Sequence, residues 1–280
     1  MANETEYSNI ITVAAYVEAE VAPYFRSTAI MPNLVRAFNF DPGSNSKKLP
    51  KAGSLVAEIV AESAEATVRE YTESSATLSA EKGKVLVELS DEEMEFAARS
   101  KDTFTQEQGR ALADKFDSDA MALFAGFSNS VGSTGVDLTI AVVQQGFYTL
   151  RLNKIPRPYV CAFSPKAVLD LATAIVASSA SIWTNPEQIS LINGEAQTNG
   201  LAGKILGSDV YESTNITLAT DHICAIFNPL YALAAGYKGG FKVETERNLS
   251  KGTTEMATTF FHDLTEYNDA AGVKVIAGNA

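Results

Sequence analysis

The chain has 280 residues, 46% of them hydrophobic, and 34 acidic against 22 basic side chains give a formal net charge of −12. Length and composition suffice for a substantial core and argue against wholesale disorder. The acidity argues against tight binding to phosphate backbones or anionic membranes, because Coulomb repulsion opposes both.

No run approaches the roughly 20 apolar residues of a membrane-spanning helix, and the opening "MANETEYSN" lacks a secretory pattern. Cys161 and Cys224 each sit in an apolar run, "YVCAF" and "HICAIF". Two such cysteines read as small hydrophobes rather than a disulfide framework, so a reducing, intracellular site of synthesis is expected.

In chain order, residues 9–22 carry Ile10, Val13, Ala14 and Val17 at helical spacing, closed by Pro23. Residues 38–54 collect Pro, Gly, Ser, Asn and three lysines, which predicts a flexible or extended linker. Residues 55–89 show rough period-2 alternation and predict two or three long antiparallel strands, partly a solvated hairpin. Seven glutamates there (58, 62, 65, 70, 73, 81, 88) face only Arg69, Lys82 and Lys84, a balance of −4. Too few bulky apolar residues lie between Glu62 and Ser75 to bury both faces. Such a hairpin either lies on a neighbouring chain or is a surface loop.

Ser90 with Glu93 forms a capping-box pattern ahead of a short helix, and Thr105 with Gln108 repeats it. A helix over 106–126, about 31 Å long, follows. Its apolar stripe is Leu112, Phe116, Ala120, Leu123 and Phe127, with Ala113 and Phe124 beside it. Asp137 is expected to cap the next helix, residues 138–152. "RPYVCAF" predicts a buried strand. Ser164-Pro165 and Asn185-Pro186 each place a cap and a first-turn proline before a helix. "DVYES", "HICAIF", "FKVETE", "TEMATTFFHDLTEY" and "GVKVI" read as strands. The class is α+β, with helices in the middle and strands at both ends.

The chemistry templates fail one after another. Asp114, Asp117 and Asp119 diverge around a helix, whereas a calcium site needs oxygens converging at about 2.3–2.6 Å. They read as a solvated face. His222 and His262 sit in strand-like runs, where a structural or surface role is expected rather than catalysis. No basic neighbourhood activates Cys161 or Cys224 as a nucleophile. "GFSNS" lacks the second glycine of a nucleophile elbow, and "TNGLAGKI" has Thr198 and Ile205 where a phosphate loop needs glycine and a hydroxyl. No catalytic, metal or cofactor site is predicted. Lys47, Lys48 and Lys51 are the one basic feature, fit for an acidic neighbour or simply solvated.

Several stretches, in order, resemble the major capsid proteins of tailed bacteriophages, the Johnson (Hong Kong 97-like) fold shared with encapsulin shells. "LPKAGSLVAEIVAESAEATV" looks like the start of that family's extended loop, and "GKVLVELSDEEMEFA" like its returning strand and short helix. "FTQEQGRALADKFDSDAMALFAGF" has the pattern of the spine helix. "YVCAFSPKAVLDLA" resembles the strand–Ser/Pro–helix step of the axial (A) domain. "NGLAGKILGSDVYESTNI" is similar to a later glycine turn and strand. "AIFNPLYALAAGYKGGFKVETERN" looks like the return to the peripheral (P) domain.

The resemblance implies an arm over 1–45, an extended loop with flanking strands over 46–90, and a P-domain with the spine helix over 91–135. It further implies an A-domain over 136–237 and P-domain return strands over 238–280. It implies a non-enzymatic shell subunit in virions, made in a bacterial host and assembling with itself into hexamers and pentamers. Its further partners would be a scaffolding protein, a portal, a decoration or cement protein, and double-stranded DNA through non-specific inner-surface contact, with no membrane and no cofactor. Some relatives join subunits by a lysine–asparagine bond; nothing around Lys82 or Lys84 predicts one here. The short arm departs from relatives with a fused scaffolding region and implies a separate scaffolding protein. Contact candidates between subunits are Lys47, Lys48, Lys51, Arg69, Glu70, Glu73, Lys82 and Lys84. The rival readings are an encapsulin-type compartment, a cysteine-dependent α+β enzyme, and an adhesion or tail-tube module.

Overall fold

The structure, a computed structural model, describes residues 29–51, 73–92, 101–177, 201–216 and 221–278, with Val21 and positions 57–60, 65 and 67–68. The predicted helix over 9–22, the one after Ser90 and the one after Asn185-Pro186 lie essentially outside them.

A four-stranded sheet has the order β1 (Arg36–Asn39), β10 (Leu233–Asn248), β11 (Thr253–Glu266) and β4 (Glu81–Ser90). One face is covered by α1, Lys101–Ala122, which runs on through a short 3-10 turn, Leu123–Gly126. The helix starts four residues before the expected Thr105. Its apolar stripe meets the core, with Leu112, Ala113, Phe116, Ala120 and Phe124 buried. A buried hydrogen bond from Thr258 Oγ1 to Gln108 Oε1, 2.6 Å long, ties the helix to β11.

A six-stranded sheet has the order β5 (Ser130–Gly132), β12 (Gly272–Gly278), β9 (Asp221–Phe227), β6 (Val160–Phe163), β8 (Ser208–Glu212) and β7 (Leu201–Ile205). The four apolar residues of β6 are all buried, as a strand with neighbours on both sides and covered faces requires. Helix α2, Ile140–Leu152, packs on β12, β5 and β9. Helix α3, Pro165–Ala177, follows β6 through the expected cap: Ala167 N–H donates to Ser164 Oγ at 3.3 Å. We expect Ser164→Ala to cost about 1 kcal/mol, read as a lower urea midpoint with unchanged slope.

Four expectations are corrected. Asp137 does not cap α2, whose N-cap is Thr139 without a side-chain bond; Asp137 instead pairs with Lys166 at 3.2 Å. Residues 46–51 are no loose linker but a strand, β2 (Ser46–Lys51), paired antiparallel with β3 (Ser74–Ser79) because Leu49 buries beside Leu78, Ala76 and Phe40. Of the strands expected over 55–89, β3 and β4 do not pair with each other: β3 pairs with β2 and β4 with β11, while most of 52–72 lies outside the described residues. Finally β12, read as returning with β10 and β11, crosses to the six-stranded sheet and inserts between β5 and β9. Gly272 permits this, because a Cβ there would lie 2.3 Å from the buried Phe127 ring. One apolar core runs through both sheets, from Met31 to Ala277.

Candidate functional site

The lysine cluster falls on β2. Lys47 Nζ donates to the Asn39 carbonyl at 2.7 Å and pairs with Asp41 at 3.4 Å, so it closes the turn ahead of its own strand. Lys48 is exposed and Lys51 half-buried. Glu73, just before β3, is exposed, while Arg69 and Glu70 lie outside the described residues.

Lys82 and Lys84 stand exposed on β4, opposite Phe261 and Thr259 of β11. The structure therefore separates the predicted lysines into two groups, one on the two-stranded β2–β3 sheet and one on the four-stranded sheet. Lys82 also lines a cavity of about 260 Å³ with Glu81, Gly83, Lys115, Asp119, His262, Asp263 and Leu264. Further along the same strands Glu246, Glu255 and Glu88 lie directly in register across β10, β11 and β4. Like charges so placed repel; Lys251 at 3.7 Å and the Thr253 hydroxyl at 2.8 Å relieve Glu88 alone.

The aspartates of α1 divide. Asp114 is exposed and Asp119 pairs with Lys115 at 2.6 Å, as a wet helix face predicts. Asp117 corrects that reading, because it is 3% exposed. Its carboxylate accepts the backbone N–H of Ile30 at 2.8 Å and of Met31 at 3.0 Å. Burial pushes its pKa up to about 6 against the pull of those two bonds, with a smaller upward push from Asp114. The carboxylate thus pins the segment that enters β1 onto the helix. A signal for this was present: its helical neighbours Ala113, Ala120 and Met121 are all apolar.

The nucleophile candidates are closed off. Cys161 and Cys224 are buried and free, and burial pushes the Cys224 thiol up to about 11 and Cys161 higher still. Thiols so protonated are poor nucleophiles. His222 and His262 are buried too. Burial lowers the His262 pKa against the opposing field of Asp119, Asp263 and Glu81. Among the described residues no group of His, Cys, Asp and Glu converges to hold a metal, and no helix is long and apolar enough to cross a membrane.

Large apolar side chains do reach outward. Ile59 and Val68 are almost wholly exposed, and neither lies in a helix or strand. Leu249, at the tip of the β10–β11 hairpin, is exposed as well.

No family model and no curated protein matches the sequence. The structure has close relatives in shape. It is similar to the capsid of Cyanophage P-SCSP1u, at 16% identity and TM-score 0.65, covering 91% of this chain and 89% of that one. It is similar to Mycobacterium phage Che8, at 17% identity and TM-score 0.66, covering 88% and 90%. A virus-like particle from Pyrococcus furiosus matches at 9% identity and TM-score 0.63, covering 93% and 98%. The chain therefore has the phage-capsid fold, with an α+β architecture.

Proposed function

We propose that this chain is the major capsid protein of a tailed phage, a structural subunit that assembles with its own copies into an icosahedral shell around double-stranded DNA. The observation that carries the reading is full-length correspondence: about nine-tenths of this chain overlays about nine-tenths of phage capsid subunits. The outward apolar residues Ile59 and Val68 support it, since they find partners only on another chain.

On this reading the four-stranded sheet with α1 forms the P-domain and the six-stranded sheet with α2 and α3 the A-domain. Residues 1–45 supply the arm, which ends in β1 of the four-stranded sheet, and 46–90 the extended loop with its flanking strands, β4 among them joining that same sheet. Lys47, Lys48, Lys51, Arg69, Glu70, Glu73, Lys82 and Lys84 remain the candidates for contacts that the loop and its flanking strands make with neighbours. Scaffolding protein, portal and a decoration protein are its expected partners. A net charge of −12 per copy keeps the contact with packaged DNA weak and non-specific. The location is the virion, after synthesis in the bacterial cytoplasm.

Negative-stain microscopy of the purified chain tests the proposal. Closed icosahedral shells are expected, and a monodisperse monomer at every concentration refutes it. The match to the virus-like particle favours one second reading, a protein compartment that holds protein cargo. Particles purified from the native source separate the two: DNA inside supports the capsid, and a co-purifying enzyme supports the compartment.

A further inference from the structure

Two arginines stand apart from the others. Among the described residues Arg36 lies over the Phe38 and Tyr267 rings at 5.0 and 5.8 Å. Arg110 pairs with Glu107 and Arg247 with Asp91, each at 2.9 Å. The guanidiniums of Arg151 and Arg157 have no hydrogen-bond or ion-pair partner among the described residues, and both line one groove of about 520 Å³. Arg151 sits in the last turn of α2, where the helix dipole favours a cation. Arg157 lies beyond the helix end, so the dipole does not account for it.

The remaining walls are Gln144, Phe147, Leu206 and Gly207. Leu206 and Gly207 form the two-residue turn between β7 and β8, both left-handed, with φ of 51° and 75°. Asn or Asp is the usual first residue of such a turn, and leucine there is strained. Leu206 holds that conformation while packing, half-buried, against the core, and it gives the groove an apolar lining beside Phe147. On the outer face of α2, next to Arg151, Tyr148 and Leu152 stand one turn apart, 63% and 65% exposed. Unpaired arginine side chains, exposed tyrosine and leucine, and a mixed groove with Phe147 and Leu206 in its walls are the composition of an interface rather than of a solvated face.

We propose that this groove and the adjoining α2 face receive a carboxylate-bearing surface of a second copy of the chain. The inference rests on the shell reading and names a lateral contact within it. Charge identifies the occupant: every copy carries twelve more acidic than basic residues, so a neighbour presents carboxylates in surplus. Two guanidiniums can grip them in forked, bidentate pairs that lysines do not form.

Arg151→Glu/Arg157→Glu and the milder Arg151→Gln/Arg157→Gln test it. Shell yield is measured by sedimentation and microscopy, and the fold of the dissociated subunit by thermal melting. Coupling between close interfacial charges predicts a loss of yield of at least about tenfold for the reversal, with the melting temperature of the subunit unchanged. If the reversal fails to fold, the glutamine pair decides by the same comparison. Wild-type shells with variant shells at equal yield overturn this inference and leave the shell reading standing. A wild-type chain that never associates overturns both. If the wild-type subunit binds a short DNA duplex, the variants lose that binding and their shells form normally, the groove is a phosphate surface and the inference is wrong.

Discussion

Phe116→Ala should lower the melting temperature of the dissociated subunit by roughly 6–20 °C. Phe116 is fully buried on α1, its ring stacked at 5.9 Å on Tyr237 and tilted at 5.3 Å against His262. Phe260 stacks on the same His262 at 5.2 Å and meets Tyr237 at 5.8 Å. This cluster is where the long helix grips the four-stranded sheet. Truncating a buried phenylalanine costs about 3–5 kcal/mol, the transfer energy plus the cavity left behind. Total stability of a domain is about 5–15 kcal/mol, so this one ring holds a large fraction. At about 2–4 °C per kcal/mol the predicted fall follows. Phe116→Leu, which refills most of the space, should recover part of it. A fall below about 2 °C for Phe116→Ala would mean that the helix does not depend on this contact.

Asp117→Asn should change how stability depends on pH. Burial raises the folded-state pKa from 3.8 to about 6, with Asp114 pushing the same way and the Ile30 and Met31 N–H groups pulling it down. Tyr237 faces the same carboxylate, and its own pKa is raised, first by burial and then by Asp117. The folded chain therefore binds a proton that the unfolded chain releases between those two pKa values. Asp117's contribution to stability is fully present below pH 3.8 and is lost as pH rises through 6, an effect of about 3 kcal/mol. Asparagine does not titrate, and its amide group faces at least one N–H as a second donor. The advantage of wild type over Asp117→Asn should therefore be wider near about pH 4 than near about pH 7.5, by most of that amount. Urea midpoints of both chains across this range measure it. Parallel curves would mean that the carboxylate is not buried as described.

Local chemistry was legible in the chain, and pairing between distant strands was not. Ser164-Pro165 announces its helix because the cap bond spans three residues. The stripe from Leu112 to Phe127 and the apolar run of β6 show because burial follows helical period or run length. By contrast alternation in β3 and β4 says only that each is a strand; their partners, β2 and β11, lie 23 to 33 and more than 160 residues away by register. Asp117 was misread for the same reason. Its position on the helix was predictable, but the backbone it accepts from is 86 residues earlier. The lysines of 47–51 were visible as a cluster, whereas the solitude of Arg151 and Arg157 depends on what the fold brings beside them.

Ala80 is the single residue between β3 and β4, which belong to different sheets. The β2–β3 ribbon rests on the rest of the molecule through Phe40, Leu49, Ala76, Leu78 and Ala234, with bonds from Ser79 N–H to Asp263 and from the Tyr267 hydroxyl to the Pro50 carbonyl. Two strands alone are marginal, so this small seat alone sets the ribbon's bearing. It works as a lever on a soft fulcrum. Tilting it disturbs a handful of side chains, at far less free energy than unfolding the sheet that β4 anchors. If copies of the chain assemble as proposed, such a tilt would let one sequence reach neighbours at unequal angles while the cores stay the same.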